Sequence, residues 1–449
     1  MITNKEIRMA NLRRRQQLFQ RVWLRKCPLP VVTLVLAIGA ALLVVLFFIN
    51  NALMRHSSIS TTANSITSID EDRYHEVDAR SPRAHYDRKQ QLDWSVVESI
   101  VEEMRRYNTK EAIGTMDTNY PLQECPPTIP DGYPQTWNII DVLENWNPDN
   151  TTIPTKIHQG LCALDWRDPN QRIVAQTYRD AELPFLIHHN PEVWKLTERW
   201  SHKDYLEVLL GSEEYKNEFS KNNHMMYWKL RGRQKGPEGW KPPTELRKQT
   251  FAEWYEKATE LEQATTTTAM SLSDVATQEH WYFRVNAKGK NPDENFIYNE
   301  IPFFYPQKSF FMVDPDDARG VNCRFGSKGI IAETHYDYSR NFILIAKGMK
   351  RYVVAHPNQC SNMELYPQGH PSARHSRVNW SDPDDWQTGS FSNARVNEVI
   401  LQAGDILYLP TAWFHFIVSL NMNYQCNARS GTTHENDHEI LRCGFHAGR

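Results

Sequence analysis

The stretch THYDYSRNFILIAKGMKRYVVAHP, residues 334–357, decides how the rest of the chain is read. It opens with His335 and Asp337 two positions apart, and in an extended strand such residues point to the same side. An imidazole and a carboxylate can therefore be aimed at one metal ion. Asn341 and Lys350 follow on either side of an apolar strand and a turn at Gly348. A second segment, LQAGDILYLPTAWFHFIVSL (residues 401–420), places His415 between two phenylalanines after a Gly404-Asp405 turn and Pro410. Two histidines and one carboxylate on one face of an iron leave positions open for a co-substrate and dioxygen. Each half also has an ordinary explanation. An isolated His-x-Asp is most often a plain hydrogen bond, and a histidine on an apolar strand is often a satisfied core residue.

Lys350 weighs the two halves toward a metal site. The strand KRYVVA puts Lys350, Tyr352 and Val354 on one face and Arg351 on the other, so one of two adjacent basic residues points inward. A lysine inside a barrel needs an anion, because an unpaired buried charge is costly. The distal carboxylate of 2-oxoglutarate would supply one; snorkelling at the rim is the competing account. Asn341 and Asn427 can donate and accept inside such a pocket, or equally cap turns.

The 449 residues carry a net charge of −3, and with a pI near 6.6 they present no basic field for nucleic acid. A mean hydropathy of −0.63 makes one apolar run stand out. Residues 29–51, LPVVTLVLAIGAALLVVLFFINN, are uncharged and long enough to span a bilayer core, which takes about 20 apolar residues. Eight Lys and Arg residues precede the run, opposed by Glu6 alone, and acidic residues follow within the next segment. Basic flanks stay cytosolic. The expected topology is a single-pass type II membrane protein: a cytosolic tail (1–28), a signal anchor (29–51), and the remainder in the lumen of the secretory pathway (Golgi or endoplasmic reticulum) or outside the cell. A cleaved signal peptide is the rival reading, disfavoured by the long basic tail and the length of the run. Beyond Cys27, six cysteines allow fifteen disulfide pairings, and none has the CxxC spacing of zinc or thioredoxin chemistry. The sequons at Asn150 and Asn379 fit a glycoprotein.

Residues 52–93 are rich in Ser, Thr, Arg and Asp and read as a solvated stem. Residues 94–274 alternate helix patterns (WSVVESIVEEMRRY, IIDVLENW, SHKDYLEVLLG, TFAEWYEKATELE) with strand-like runs (LPFLIHH, MMYWKL) and a polar loop over 229–250. Residues 275–430 are strand-rich: HWYFRV, KSFFMV, NFILIA, RYVVA, EVILQ, DILYLP, FHFIVSL and YQCNA. Short strands separated by turn signals predict an antiparallel roll, so the fold class is α+β with a jelly-roll core and N-terminal helices. His370 and His375 fall in a polar, Pro-rich insert and read as loop residues. His434, His438 and His446 lie in a hydrophilic C-terminal tail (431–449) and read as having no metal role.

The segments GIIAETHYDYSRNFILIAKGMKRYVVAHP and GDILYLPTAWFHFIVSL resemble the cupin-like branch of the JmjC oxygenases, most of all the asparaginyl hydroxylase that acts on hypoxia-inducible factor. The likeness runs loosely from Leu183 to Arg429 and includes the insert pieces YPQGHP and VNWSDPDDW. It implies a double-stranded β-helix (cupin) core, Fe(II) as cofactor, and 2-oxoglutarate and O2 as co-substrates. It makes His335, Asp337 and His415 the iron ligands and Lys350 the partner of the 2-oxoglutarate carboxylate. Tyr282, in EHWYFRV, would touch the same carboxylate, with Asn341 and Asn427 as pocket asparagines. Three residues before the first ligand, where that hydroxylase has a threonine, this chain has Ala332; Arg429 stands where an aromatic is expected. The implied activity is a hydroxylase-type dioxygenase acting on a protein side chain, a glycan or a small molecule. The alternatives are a non-catalytic cupin-like metal- or ligand-binding membrane protein, or a type II Golgi glycosyltransferase, for which no suitable DxD motif is present.

Overall fold

In this computed structural model the described residues are 122–230, 236–267, 275–287, 295–386 and 389–446. The apolar run at 29–51, the stem and the helix expected after Asp93 lie outside them. Among the described residues no helix is long and apolar enough to cross a membrane.

Eight consecutive strands build the core: β8 (Ala318–Gly326), β9 (Ile331–Tyr336), β10 (Asn341–Lys347), β11 (Met349–Ala355), β12 (Arg395–Gln402), β13 (Ile406–Leu409), β14 (Phe414–Ser419) and β15 (Asn423–Ser430). They divide between two facing sheets. One has the order β13-β10-β15-β8 and the other β12-β11-β14-β9, with antiparallel pairing throughout. This is the jelly roll the short strands predict. Earlier strands widen both sheets. The first gains β2 (Ala163–Asp165) and β3 (Phe185–His188) beside β13, and β7 (His280–Ala287), β4 (Tyr215–Ser220) and β6 (Glu245–Gln249) beside β8. The second gains β1 (Trp137–Asn138) and β5 (His224–Met225) at its edges.

The continuous apolar run of β10 has a structural cause, since both of its faces are covered. Phe342, Leu344 and Ala346 turn outward into a core shared with Trp200, Leu206 and Trp254. Those residues come from the helices Pro191–Ser201, Lys203–Leu210 and Phe251–Thr267. Ile343 and Ile345 turn inward and meet Tyr352, Val354 and Leu407 between the sheets. The helix Pro191–Ser201 starts with Asn190 accepting from Glu192 N and Val193 N, and with proline in its first turn. It is pinned at its other end by Glu300, whose carboxylate accepts from Trp200 Nε1 and, beyond the helix, from Tyr205 OH.

The second sheet is covered by the segment that begins with the helix Ile139–Asn145. Of the two adjacent basic residues of β11 one points inward, as their strand alternation predicts, yet both are buried: Lys350 is 0% and Arg351 1% exposed. Arg351 lies on the outer face, yet the N-terminal segment seals it. Its guanidinium donates to the carbonyls of Trp146 (2.6 Å) and Val142 (3.3 Å) and pairs with Glu398 (2.8 Å). Three disulfides, Cys125–Cys162, Cys323–Cys426 and Cys360–Cys443, join the described cysteines. The last ties the short helix Asp437–Arg442 of the tail to the turn after β11.

Three local expectations change. In MMYWKL only Met225 belongs to a strand, because Lys229 N bonds Pro371 O and Trp228 Nε1 bonds Thr244 O in place of a ladder. The polar loop expected over 229–250 ends in β6, an edge strand whose Glu245, Leu246 and Lys248 face solvent. KSFFMV forms bends, not a strand. Its Phe311 and Met312 are apolar because they fill the helix-side core.

Candidate metal centre and its anion pocket

His335 and His415 are register partners across β9 and β14, which sets their rings 4.2 Å apart between centroids. Asp337 follows the last residue of β9. The ligand-capable atoms of His335, Asp337 and His415 all lie within 4.8 Å of one another, the one such group among the described residues. Each imidazole is oriented from behind through Nδ1. His335 meets Glu333 O at 2.8 Å and His415 meets Trp413 O at 3.1 Å. A carbonyl can only accept, so Nδ1 carries the proton and each Nε2 lone pair is left for a metal. Burial, followed by the neighbouring rings, pushes His335 well below the ordinary imidazole value, and burial lowers His415 too. Both are thus neutral, as ligation requires. For Asp337, burial alone would raise the carboxyl, but the Arg429 guanidinium, the largest opposing influence, holds it below the usual carboxylate range. Two neutral imidazoles and one ionised carboxylate fit a divalent first-row metal.

The other sequence-predicted residues fall into the space between the sheets. Lys350 Nζ donates to Tyr282 OH at 2.6 Å, which brings these two side chains together. Burial, and then Arg324, push the Lys350 ammonium well below the ordinary lysine value, while burial raises the Tyr282 phenol to about 12. Across β14 and β11, Val354 stands opposite His415 and Lys350 opposite Ser419. Four residues of strand separate lysine from ligand, about 13 Å at the usual rise per residue. A lysine side chain and a five-carbon dicarboxylate together bridge that span. Asn427 Nδ2 donates to Asn341 Oδ1 at 2.9 Å, so these two asparagines form one polar contact near the metal end.

Several residues take places at the site that the sequence reading did not give them. His375, expected as a loop residue, is buried and stacks on His335 with 5.0 Å between centroids, 19° from parallel. It arrives through an isolated bridge between the two histidines' backbones. Arg429 donates from Nη1 to Asp337 Oδ1 at 2.8 Å. Arg284 and Arg324 line the same interior from β7 and β8. Only their spacing, with Tyr282 and Arg284 two apart and Asn322 and Arg324 two apart, hinted at a shared inward face. His370 stacks on Tyr366 away from the donor group, and His434 and His438 stay exposed on the tail.

A jelly roll with two histidines and an aspartate at one end of its interior and a buried lysine at the other defines a metal-dependent cupin. The family model described as "Cupin-like domain" matches residues 171–429, and the chain belongs to that family. Among curated proteins it is similar to the tRNA wybutosine-synthesizing protein 5 of Homo sapiens, 32% identical over 27% of this chain and 34% of that protein. The JmjC domain-containing protein D of Dictyostelium discoideum is 30% identical over 24% of each chain. The lysine-specific demethylase JMJ30 of Arabidopsis thaliana is 23% identical over 54% of this chain and 48% of its own length. The chain therefore spans between about a quarter and about half the length of these relatives. JmjC enzymes use Fe(II) with 2-oxoglutarate and O2, and the donor set here fits that cofactor.

Proposed function

We propose that this protein is an Fe(II)- and 2-oxoglutarate-dependent dioxygenase of the hydroxylase type. The observation that carries the reading is the pairing of two sites on one strand face: the His335–Asp337–His415 donors, and Lys350 with Tyr282 about 13 Å along β14 and β11. Bound Fe(II), with 2-oxoglutarate and dioxygen, supplies the oxidising power that hydroxylates a C–H bond. The protein's own contributions are binding, orientation and dryness. His335 and His415 offer Nε2, and Asp337 offers the carboxylate oxygen that Arg429 leaves free. Lys350 and Tyr282 hold the distal carboxylate of the co-substrate, and the Asn341–Asn427 contact forms the polar wall beside the metal. His415, Lys350, Tyr282 and the two asparagines are buried and His335 and Asp337 half-buried, which limits bulk water at the reacting atoms.

The apolar run at 29–51 with its basic flank supports a type II orientation, the site facing the secretory lumen or the cell exterior. The three disulfides support the same compartment. Asn379 is exposed at its sequon, which suits a glycoprotein. In that compartment the substrate is a protein side chain, a glycan or a small molecule, not the tRNA in the name of the human relative. The likeness to the asparaginyl hydroxylase rests on the motif segments and does not carry its substrate over.

A second reading, a non-catalytic cupin that retains the donor set, draws on two observations. Ala332 removes a co-substrate hydroxyl, and Asp337 already has a cationic partner in Arg429. Anaerobic titration of the full-length protein with Fe(II) and 2-oxoglutarate separates the two. The oxygenase reading expects a metal-to-ligand charge-transfer absorption, succinate on admission of oxygen, and loss of both in Asp337→Ala. Folded protein that gives neither signal sinks it.

A further inference from the structure

Among the described residues Arg324, in the interior, has no carboxylate partner. Along β8, Val321, Cys323 and Phe325 face the helix-side core, so Asn322 and Arg324 face the space between the sheets. Arg324 stands directly opposite Arg284 of β7 on one side and Gln425 of β15 on the other. Like charges directly opposite on neighbouring strands are destabilising. Arg284 is relieved by an ion pair with Glu218 of β4. Arg324 is not. Among the described residues its hydrogen bond is a 3.4 Å contact with the carbonyl of Cys323, and no carboxylate lies within ion-pair distance.

The atoms around it are also left unsatisfied. Arg284 Nε, Asn322 Nδ2 and Ser419 Oγ are buried without a hydrogen-bond partner among the described residues. Ser419 is 1% exposed and lies opposite Lys350 in the β14–β11 register. A Cβ built on Gly326 would come within 3.0 Å of Ser419 Oγ and 3.3 Å of the Tyr282 ring, so serine and tyrosine border the same small space. Buried donors without acceptors are rare in folded proteins, and a group of them around an unpaired guanidinium is what an anion site looks like before its anion arrives. Burial, and among the neighbouring cations Arg429, push Arg324 down to about 10, and burial with Arg324 lowers Lys350 as well.

We propose that Arg324, assisted by the Ser419 hydroxyl, is a co-substrate-binding residue that grips the distal carboxylate of 2-oxoglutarate alongside Lys350 and Tyr282. The inference rests on the oxygenase reading above and adds to it. Ala332 leaves this pocket without the hydroxyl the family resemblance would place there, and Arg324 and Ser419 supply a cation and a hydroxyl from other strands. The pocket is then selective for a 2-oxo acid with a second carboxylate.

The test is anaerobic titration of the Fe(II)-loaded full-length protein, read by charge-transfer absorption, with 2-oxoglutarate and with 2-oxovalerate, which lacks the distal carboxylate. Arg324→Leu should bind 2-oxoglutarate about 10- to 100-fold more weakly, the worth of a charge-assisted hydrogen-bond pair. Its binding of 2-oxovalerate should match the wild type, and Arg324→Lys should fall between. Melting without ligand gives a separate check. Removing an unpaired buried cation should leave the ligand-free protein as stable as the wild type or more so, whereas a structural arginine would be missed. Unchanged 2-oxoglutarate binding in Arg324→Leu, or an equal loss for both acids, overturns the proposal. Should Arg324→Leu not fold, the role of Arg324 is structural and the proposal falls, unless Arg324→Lys folds and shows the selective loss. A wild-type protein that binds no 2-oxoglutarate removes the oxygenase reading and this inference with it. Wild-type binding with an indifferent Arg324→Leu removes the inference alone.

Discussion

Arg429 Nη1 donates to Asp337 Oδ1 at 2.8 Å, so the single carboxylate of the donor group shares its charge with a guanidinium from the last core strand. Arg429 follows Asn427 by two residues on β15 and therefore enters from the same face as the asparagine pair. One carboxylate oxygen is held by arginine while the other stays available.

Arg429→Gln should consequently change how metal binding depends on pH. In the wild type, Arg429 is the largest influence opposing the burial that would otherwise raise Asp337. Without it the folded-state carboxyl rises and protons compete with the metal at a higher pH. The acid limb of Mn(II) binding, followed by electron paramagnetic resonance between pH 4 and 7, should move upward. Affinity at pH 7 should fall by about 10-fold through loss of orientation. An unmoved acid limb would show that Arg429 does not act through Asp337.

Lys350 makes co-substrate binding pH-dependent in the opposite limb. Its folded-state pKa is below the ordinary 10.5, because burial and Arg324 disfavour the ammonium. Ligand-free protein therefore gains stability as pH rises through that lowered value toward 10.5, where the unfolded chain still holds the proton. A dicarboxylate reverses the balance, and binding takes up a proton across the same window. Calorimetry of 2-oxoglutarate binding to Mn(II)-loaded protein, in buffers of different ionisation enthalpy, should report net proton uptake and an affinity that falls with rising pH. Lys350→Met should abolish the uptake.

What could be read in the chain and what could not divide along a physical line. The strands β10, β11, β13 and β14 were legible because burial on both faces leaves long apolar runs. His335, Asp337 and His415 were legible because strand spacing alone puts two of them on one side, and the turn before Trp413 marks the third. Edge strand β6 was hidden, since an edge that faces water carries polar residues. His375 and Arg351 depend on partners brought together by the fold: a bridge across 40 positions for the histidine, and backbone carbonyls more than 200 positions upstream for the arginine. Neither spacing nor propensity encodes such contacts. The disulfide pairing was equally closed to inspection, because it follows from the β8–β15 register and the docking of the tail.

His375 supplies a further prediction. Burial and the neighbouring Arg374 push its imidazole down to about 4, so at neutral pH it is an uncharged plate against His335. His375→Ala would remove that support and let the His335 ring turn, and metal affinity should drop by about 10-fold. His375→Phe keeps a flat ring and should restore most of it. Should phenylalanine fail while alanine weakens binding, the ring nitrogens of His375 matter and stacking is not its role.

The strongest structural prediction concerns Glu398, far from the donor group on the outer face of the second sheet. Its carboxylate is 0% exposed and serves three partners at once. Arg351 Nε donates to Oε2 at 2.9 Å and Nη2 lies at 2.8 Å, while His158 N donates to Oε1 at 2.6 Å. Arg351 in turn holds Trp146 and Val142 by their carbonyls and lies 4.3 Å from the Trp146 ring centroid. The pair is thus the rivet that fastens residues 137–158 over β11 and β12. Glu398→Gln keeps the shape and an acceptor for His158, but it leaves the arginine buried without a counter-charge, which costs about 3–5 kcal/mol. Replacing both members, Arg351→Met with Glu398→Leu, removes the unpaired charge and should recover most of that loss. Urea unfolding of the single and double variants measures the difference directly. A single variant that unfolds at the wild-type urea concentration would mean that the backbone carbonyls alone neutralise Arg351, and that the segment over β11 is held by its apolar contacts.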